Sequence, residues 1–233
     1  MQSIEQFHAP ISVISIAEQY VSARALLREA LKATGRVYLS QREDDYFFQI
    51  PVEAQQVVLE GIVNWSNTVL EFVAQGGNHR NTKNLVRYYL SRMSLVAPIG
   101  FLDEIQDGEI VEIYGDDSKR LFFNPELFDY SSYSPDVMFS NQWWDLYQRD
   151  SAVSLKIHEY AMEIFVGRIT NPFKPDLPIC EVKETKSLGR YTSQIEMKCM
   201  SPVKVGDRVV GIACLEKLKL LSGERLAHTH SLS

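Results

Sequence analysis

The chain has 233 residues, 45% hydrophobic and 23% charged, with a formal net charge of −6. That is the make-up of a globular protein of one large domain or two small ones. The acidic balance disfavours broad nucleic-acid binding, which needs basic surface to displace counterions. No apolar run approaches the ~18 residues that span a bilayer, and MQSIEQFHAP lacks the basic-then-apolar order of a secretion signal. A cytoplasmic protein without a membrane segment is expected.

Residues 1–12 show no period and read as an arm. Ser15 and Glu18 fit a capping box, in which each end satisfies an orphan amide of the other. Ile16, Tyr20, Ala23, Leu27 and Leu31 follow at helical steps and Gly35 supplies a C′ residue, so a helix is predicted over 15–34. Val37–Leu39 reads as a short extended piece before a charged loop, Gln41 to Asp45. Pro51 suits the N1 position of a second helix, 51–75. Val57, Leu59, Ile62, Val63, Trp65, Val69, Leu70 and Phe72 give that helix a wide apolar surface, for two neighbours or for another subunit. A third helix, 80–96, carries Arg80, Lys83, Arg87 and Arg92, either a solvated face or a contact for phosphate.

From about Gly100 the period becomes strand-like. Ile110 to Tyr114 and Arg120 to Phe123 read as two strands about a turn at Asp116-Asp117, and Asn124-Pro125 breaks the second. The next stretch, Glu126 to Asp150, is rich in rings and in Pro, Ser, Asp and Asn, which predicts short helical turns and loops. A helix follows over 151–167, capped by Asp150 or Ser151, and then a proline-rich loop from Asn171 to Pro178. Pro178 to Lys183 begins a strand. In the last hairpin Tyr191, Ser193, Ile195, Met197 and Cys199 alternate with Thr192, Gln194, Glu196 and Lys198, the mark of one dry and one wet face. Ser201-Pro202 is expected to interrupt this strand, Gly206-Asp207 to turn the chain, and Arg208 to Leu218 to return beside it.

Motifs for chemistry are sparse. There is no G-x-S-x-G, GxxxxGK or GxGxxG. Cys180, Cys199 and Cys214 form no CxxC pair, which argues against a disulfide framework or a zinc site. His228 and His230 are the one close histidine pair, in a polar tail. No catalytic residue and no metal site are assigned. Glu181 and Glu184 are placed to pair with Lys183 or Lys198 across strands.

The order strand, strand, short helices, long helix, strand, strand, strand resembles the PAS domain family. MSPVKVGDRVVGIACLEK, Met200 to Lys217, is similar to the family's closing strand, polar turn and V-V-G strand, and NQWWDLYQRD is similar to the helical stretch before its long helix. The resemblance covers roughly residues 101–220. It implies an α+β fold: a helical N-terminal region over 1–99 for dimerisation or partner binding, then a PAS-like five-stranded antiparallel sheet with helices on one face over 100–221, then a flexible tail over 222–233. It also implies a sensory or regulatory module binding a small molecule or protein partner between sheet and helices. With no output domain expected after the last strand, such a module signals in trans through helical contacts, as a homodimer or with a partner, and the second helix is the expected contact.

No Asn-Cys-Arg-Phe-Leu-like stretch is present, which sets the flavin-binding branch aside. His158 lies on the long helix, where haem-binding members place their iron ligand, with no supporting motif. No cofactor is named by the sequence. The candidate ligand-binding residues are Phe128, Tyr130, Tyr133, Trp143, Trp144, Tyr147 and His158, since ligand pockets are mostly apolar with a few polar groups. The competing account is that these rings simply pack the core beneath the sheet. Three other functions stay open: an enzyme using Glu181, His158 or Asp145 as acid–base groups, an adaptor binding through residues 15–96, and a nucleic-acid reader working through the third helix.

Overall fold

The computed structural model describes residues 15–36, 44–185 and 191–223. The expected arm, the extended piece at Val37–Leu39 and the His228/His230 tail lie outside the described residues. Helix α1, Ile16–Ala33, starts on the Ser15–Glu18 capping box. It ends in a Schellman motif: the Arg36 amide donates to the Leu31 carbonyl at 2.9 Å and the Gly35 amide to that of Lys32 at 3.0 Å, with Gly35 at φ +70°. Starting within the expected Gln41–Asp45 loop and running past it, Asp44–Gln49 forms α2. It brings Phe47 flat against Tyr20, with ring centroids 3.8 Å apart.

Helix α3, Val52–Ala74, has Pro51 as its N-cap rather than its first helical residue. Its wide apolar surface is spent on neighbours within the chain: α1, the short helix α6 (Pro135–Ser140), α4 (Thr82–Arg92) and strand β2 (Arg120–Phe123). Trp65, 1% exposed, donates its indole N–H to the Phe123 carbonyl at 2.7 Å and ties α3 to β2. A buried ion pair, Arg24 to Asp136 at 3.3 Å, joins α1 to α6. A short helix α5, Phe101–Glu104, precedes the sheet.

Strand β1 spans Ile110–Gly115. After β2 come a 3-10 turn (Pro125–Asp129), α6, α7 (Trp143–Leu146), β3 (Tyr147–Gln148), α8 (Ser151–Phe165), β4 (Cys180–Glu184), β5 (Thr192–Val205) and β6 (Arg208–Ser222). The sheet runs β2-β1-β6-β5-β4-β3, with every neighbouring pair antiparallel. Six strands stand where five were expected. The addition is β3, two residues paired as Tyr147 with Glu184 and Gln148 with Lys183, too short to show a period in sequence.

Helices cover both faces of this sheet, not one. Ile164 of α8 packs on Met197, Met200, Ile212 and Cys214. On the opposite face Ile113, Cys199, Val203, Ala213 and Leu215 join one buried cluster with the residues of α1, α3 and α4. Cys199 therefore does not share a face with Met197. The register slips between Met197 and Cys199, and such a bulge restarts the alternation out of phase. This is how β5 serves two cores. Nor does Pro202 interrupt the strand, for it pairs with Ile212. Met200, two residues earlier, exchanges bonds with Phe173 on the side away from β6. Pro202 turns its nitrogen to that same side, so no bond of the β5–β6 ladder is lost. Among the described residues, no helix is long and apolar enough to cross a membrane.

Candidate functional site

A cavity of about 50 Å³ lies between α8 and the sheet. Period-2 geometry supplies its floor: Glu112 and Tyr114 from β1, Ile212, Cys214, Glu216 and Leu218 from β6, and Ser193, Ile195 and Met197 from β5. Ile157, Ala161 and Phe165, four residues apart along α8, form its roof. By the criterion that a water needs about 10–15 Å³ of such space, the cavity holds roughly three to five waters.

The floor is unusually charged for a buried surface. Arg120 is not itself a lining residue; its side chain fully buried, it donates from Nε to Glu112 Oε1. Tyr114 donates its hydroxyl to Glu112 Oε2 at 2.8 Å. The guanidinium lies 5.4 Å from the centre of the Tyr114 ring and 5.7 Å from that of Tyr147. Its Nη1 and Nη2 have no hydrogen-bond partner among the described residues. Burial works against the Arg120 charge, but Glu112 with Tyr114 and Tyr147 outweighs it and raises the pKa well above the ordinary value. Glu216, two positions diagonally from Glu112 across the β1–β6 ladder, is pushed up to about 8 by burial and by the Glu112 charge, against Arg149 and Arg120.

Arg149 lies over Trp143, 4.9 Å from the ring centre. It lines the cavity and forms no salt bridge with a described residue, and its Nε is buried without a partner among them. Glu184 is held differently. It accepts from Ser131 Oγ at 2.8 Å, the Ser132 amide at 2.8 Å, Ser132 Oγ and the Tyr191 amide at 2.9 Å, so it turns into the wall. Lys198 goes to Glu109 instead of pairing across the strand.

Of the rings singled out in the sequence, Tyr130, Trp143 and Tyr147 line the cavity. Tyr133, 2% exposed, braces its wall by donating to the Leu146 carbonyl at 2.7 Å and accepting from the Thr185 amide at 2.8 Å. Phe128 belongs to the other face, against Trp65 and Phe123. Trp144 and His158 meet edge-on outside the cavity, Trp144 38% exposed and His158 exposed as well. The haem-like position of His158 thus faces away from the enclosed space. Asp145 and Glu181 are also exposed, and the trio Glu181, His158 and Asp145 is absent from the cavity lining. Of the four cations singled out for the third helix, Arg80, Lys83, Arg87 and Arg92, Lys83 pairs with Asp103 at 2.6 Å and Arg92 with Glu71 at 2.9 Å, which takes two of them from any phosphate contact.

The sequence reading passed over Glu112, Arg120, Arg149 and Glu216. The signal for Glu112 was present: IVEIYG places a carboxylate on the same face as Tyr114, in a strand otherwise apolar. Cys180, Cys199 and Cys214 are free thiols, and burial pushes Cys199 up to about 11 and Cys214 well above the usual thiol range. No cluster of three or more potential metal ligands occurs among the described residues. Compared with known proteins, the chain matches no family model and no curated sequence.

Proposed function

We propose that the chain is a PAS-like sensory module that binds a small molecule in the cavity beneath α8 and signals in trans through helical contacts. The supporting observation is positional. Two strands, short helices and one long helix precede three antiparallel strands, and the long helix lies over a charged, ring-lined space on the sheet. Occupancy of that space bears directly on the seat of α8, since Ile157, Ala161 and Phe165 form its roof. About 120° round the helix axis from that roof lie Leu155 and Met162, with Val166 at the C-cap, exposed at 60%, 50% and 57%. At 100° per residue these three fall within a narrow stripe facing away from the cavity. A change in the seat of α8 reaches a second copy of the chain through this stripe. The module is read as a cytoplasmic homodimer.

Native mass spectrometry of the purified protein, compared with its mass after denaturation, tests both parts. The reading expects a dimer carrying a small mass that denaturation releases. A monomer of identical mass in both states contradicts it.

A further inference from the structure

We propose that the cavity beneath α8 selects a short-chain carboxylate, its oxygens received by the Arg149 guanidinium and the Ser193 hydroxyl and its alkyl end by α8. This rests on the reading of that cavity as a ligand site and names the ligand's chemical class. Among the residues lining the cavity, Arg149 Nε and Ser193 Oγ are buried and lack a partner among the described residues. Both can donate. Buried donors left unpaired cost free energy, and an oxygen-rich occupant removes that cost. A guanidinium matches a carboxylate in geometry as well as charge.

The acids of the site do not oppose this occupant equally. Glu112 is committed to Arg120 Nε and the Tyr114 hydroxyl. Glu184 is committed to Ser131, Ser132 and the Tyr191 amide. Glu216, held toward its neutral form by burial, presents a proton and not a charge near pH 7. Arg149 is then a cation at the cavity without a described carboxylate partner. Across from these groups the α8 residues Ile157, Ala161 and Phe165 offer only hydrocarbon. Space for roughly three to five waters restricts the ligand to a few heavy atoms.

Isothermal titration with butyrate, butyramide and butylamine, three probes of one shape and three charges, tests the assignment on the full chain. Butyrate is expected to bind saturably, with butyramide and butylamine at least tenfold weaker. Arg149→Gln is expected to weaken butyrate at least tenfold and to equalise acid and amide. Ala161→Phe, which fills the cavity from α8, is expected to abolish binding of butyrate. If the amide or the amine binds as well as the acid and Ala161→Phe blocks it, the carboxylate class falls while the cavity stands as a ligand site. If no probe binds and native spectra show no retained mass, both fall together.

Discussion

Glu216 stands on the cavity floor, two residues along β6 from Cys214, with Glu112, Arg120 and Arg149 as the charged groups around it. Because its folded pKa, about 8, lies above the ordinary 4.5, the folded state holds this proton more tightly than the unfolded chain does. The stability this contributes is complete below about pH 4.5 and is lost as pH rises to about 8. At about 1.4 kcal/mol per pH unit, the loss between pH 5.5 and 8.5 is on the order of 3 kcal/mol. Glu216→Gln keeps the shape and cannot ionise. Urea unfolding at the two pH values should therefore show the wild type losing about that much more stability than the variant, and parallel pH profiles would refute the assignment.

Glu184 gives a prediction of the opposite kind, since four donors converge on its carboxylate. Glu184→Ala removes their shared acceptor and should cost about 2–4 kcal/mol in the same measurement. Neither role was legible from sequence. Glu184 reads as a strand residue with lysines nearby, and only the return of Ser131 and Ser132 beside β4 turns it inward. Tyr130, Trp143 and Tyr147 were legible because large rings close to a strand edge have few other places to go. Phe128, five residues past Phe123, was carried to the other face by the 3-10 turn after Asn124, a rotation that spacing alone does not encode.

At the level of elements, α3 and α6 approach so closely that a Cβ on Gly61 would lie 2.6 Å from Cγ of Phe139, a ring only 1% exposed. Helix propensity alone favours Gly61→Ala by about 1 kcal/mol. Overpacking against a fixed ring costs about 1–3 kcal/mol, so net destabilisation is expected in thermal unfolding. A variant that melts higher than wild type would show that the two helices are not in contact here. The helices themselves were plain in the sequence. Ser15 with Glu18, Gly35, and the hairpin turn at Gly206-Asp207 are local devices, decided by neighbours within four residues. The β5 bulge and the tolerance of Pro202 are not local. Each depends on what lies beside the strand: Phe173 and Val96 on one side, β6 on the other.

For the molecule as a whole, the sheet is a partition between two interiors. One face is filled by Trp65, Tyr89, Phe101, Phe122 and Phe139, all 1% exposed or less, together with the apolar side of α1. The other holds a smaller apolar group under α8 and the charged cavity beside it. Polar groups concentrated on one side of a sheet whose other side packs tightly are what place the proposed ligand on the looser face. The most direct test is a methyl spectrum of the protein labelled at methionine and titrated with butyrate. Met197 and Met200 lie on the cavity side, and Met93 and Met138 on the packed side. Saturable shifts at Met197 and Met200, with Met93 and Met138 unmoved, are predicted. Shifts confined to Met93 and Met138, or none that saturate, would contradict the account.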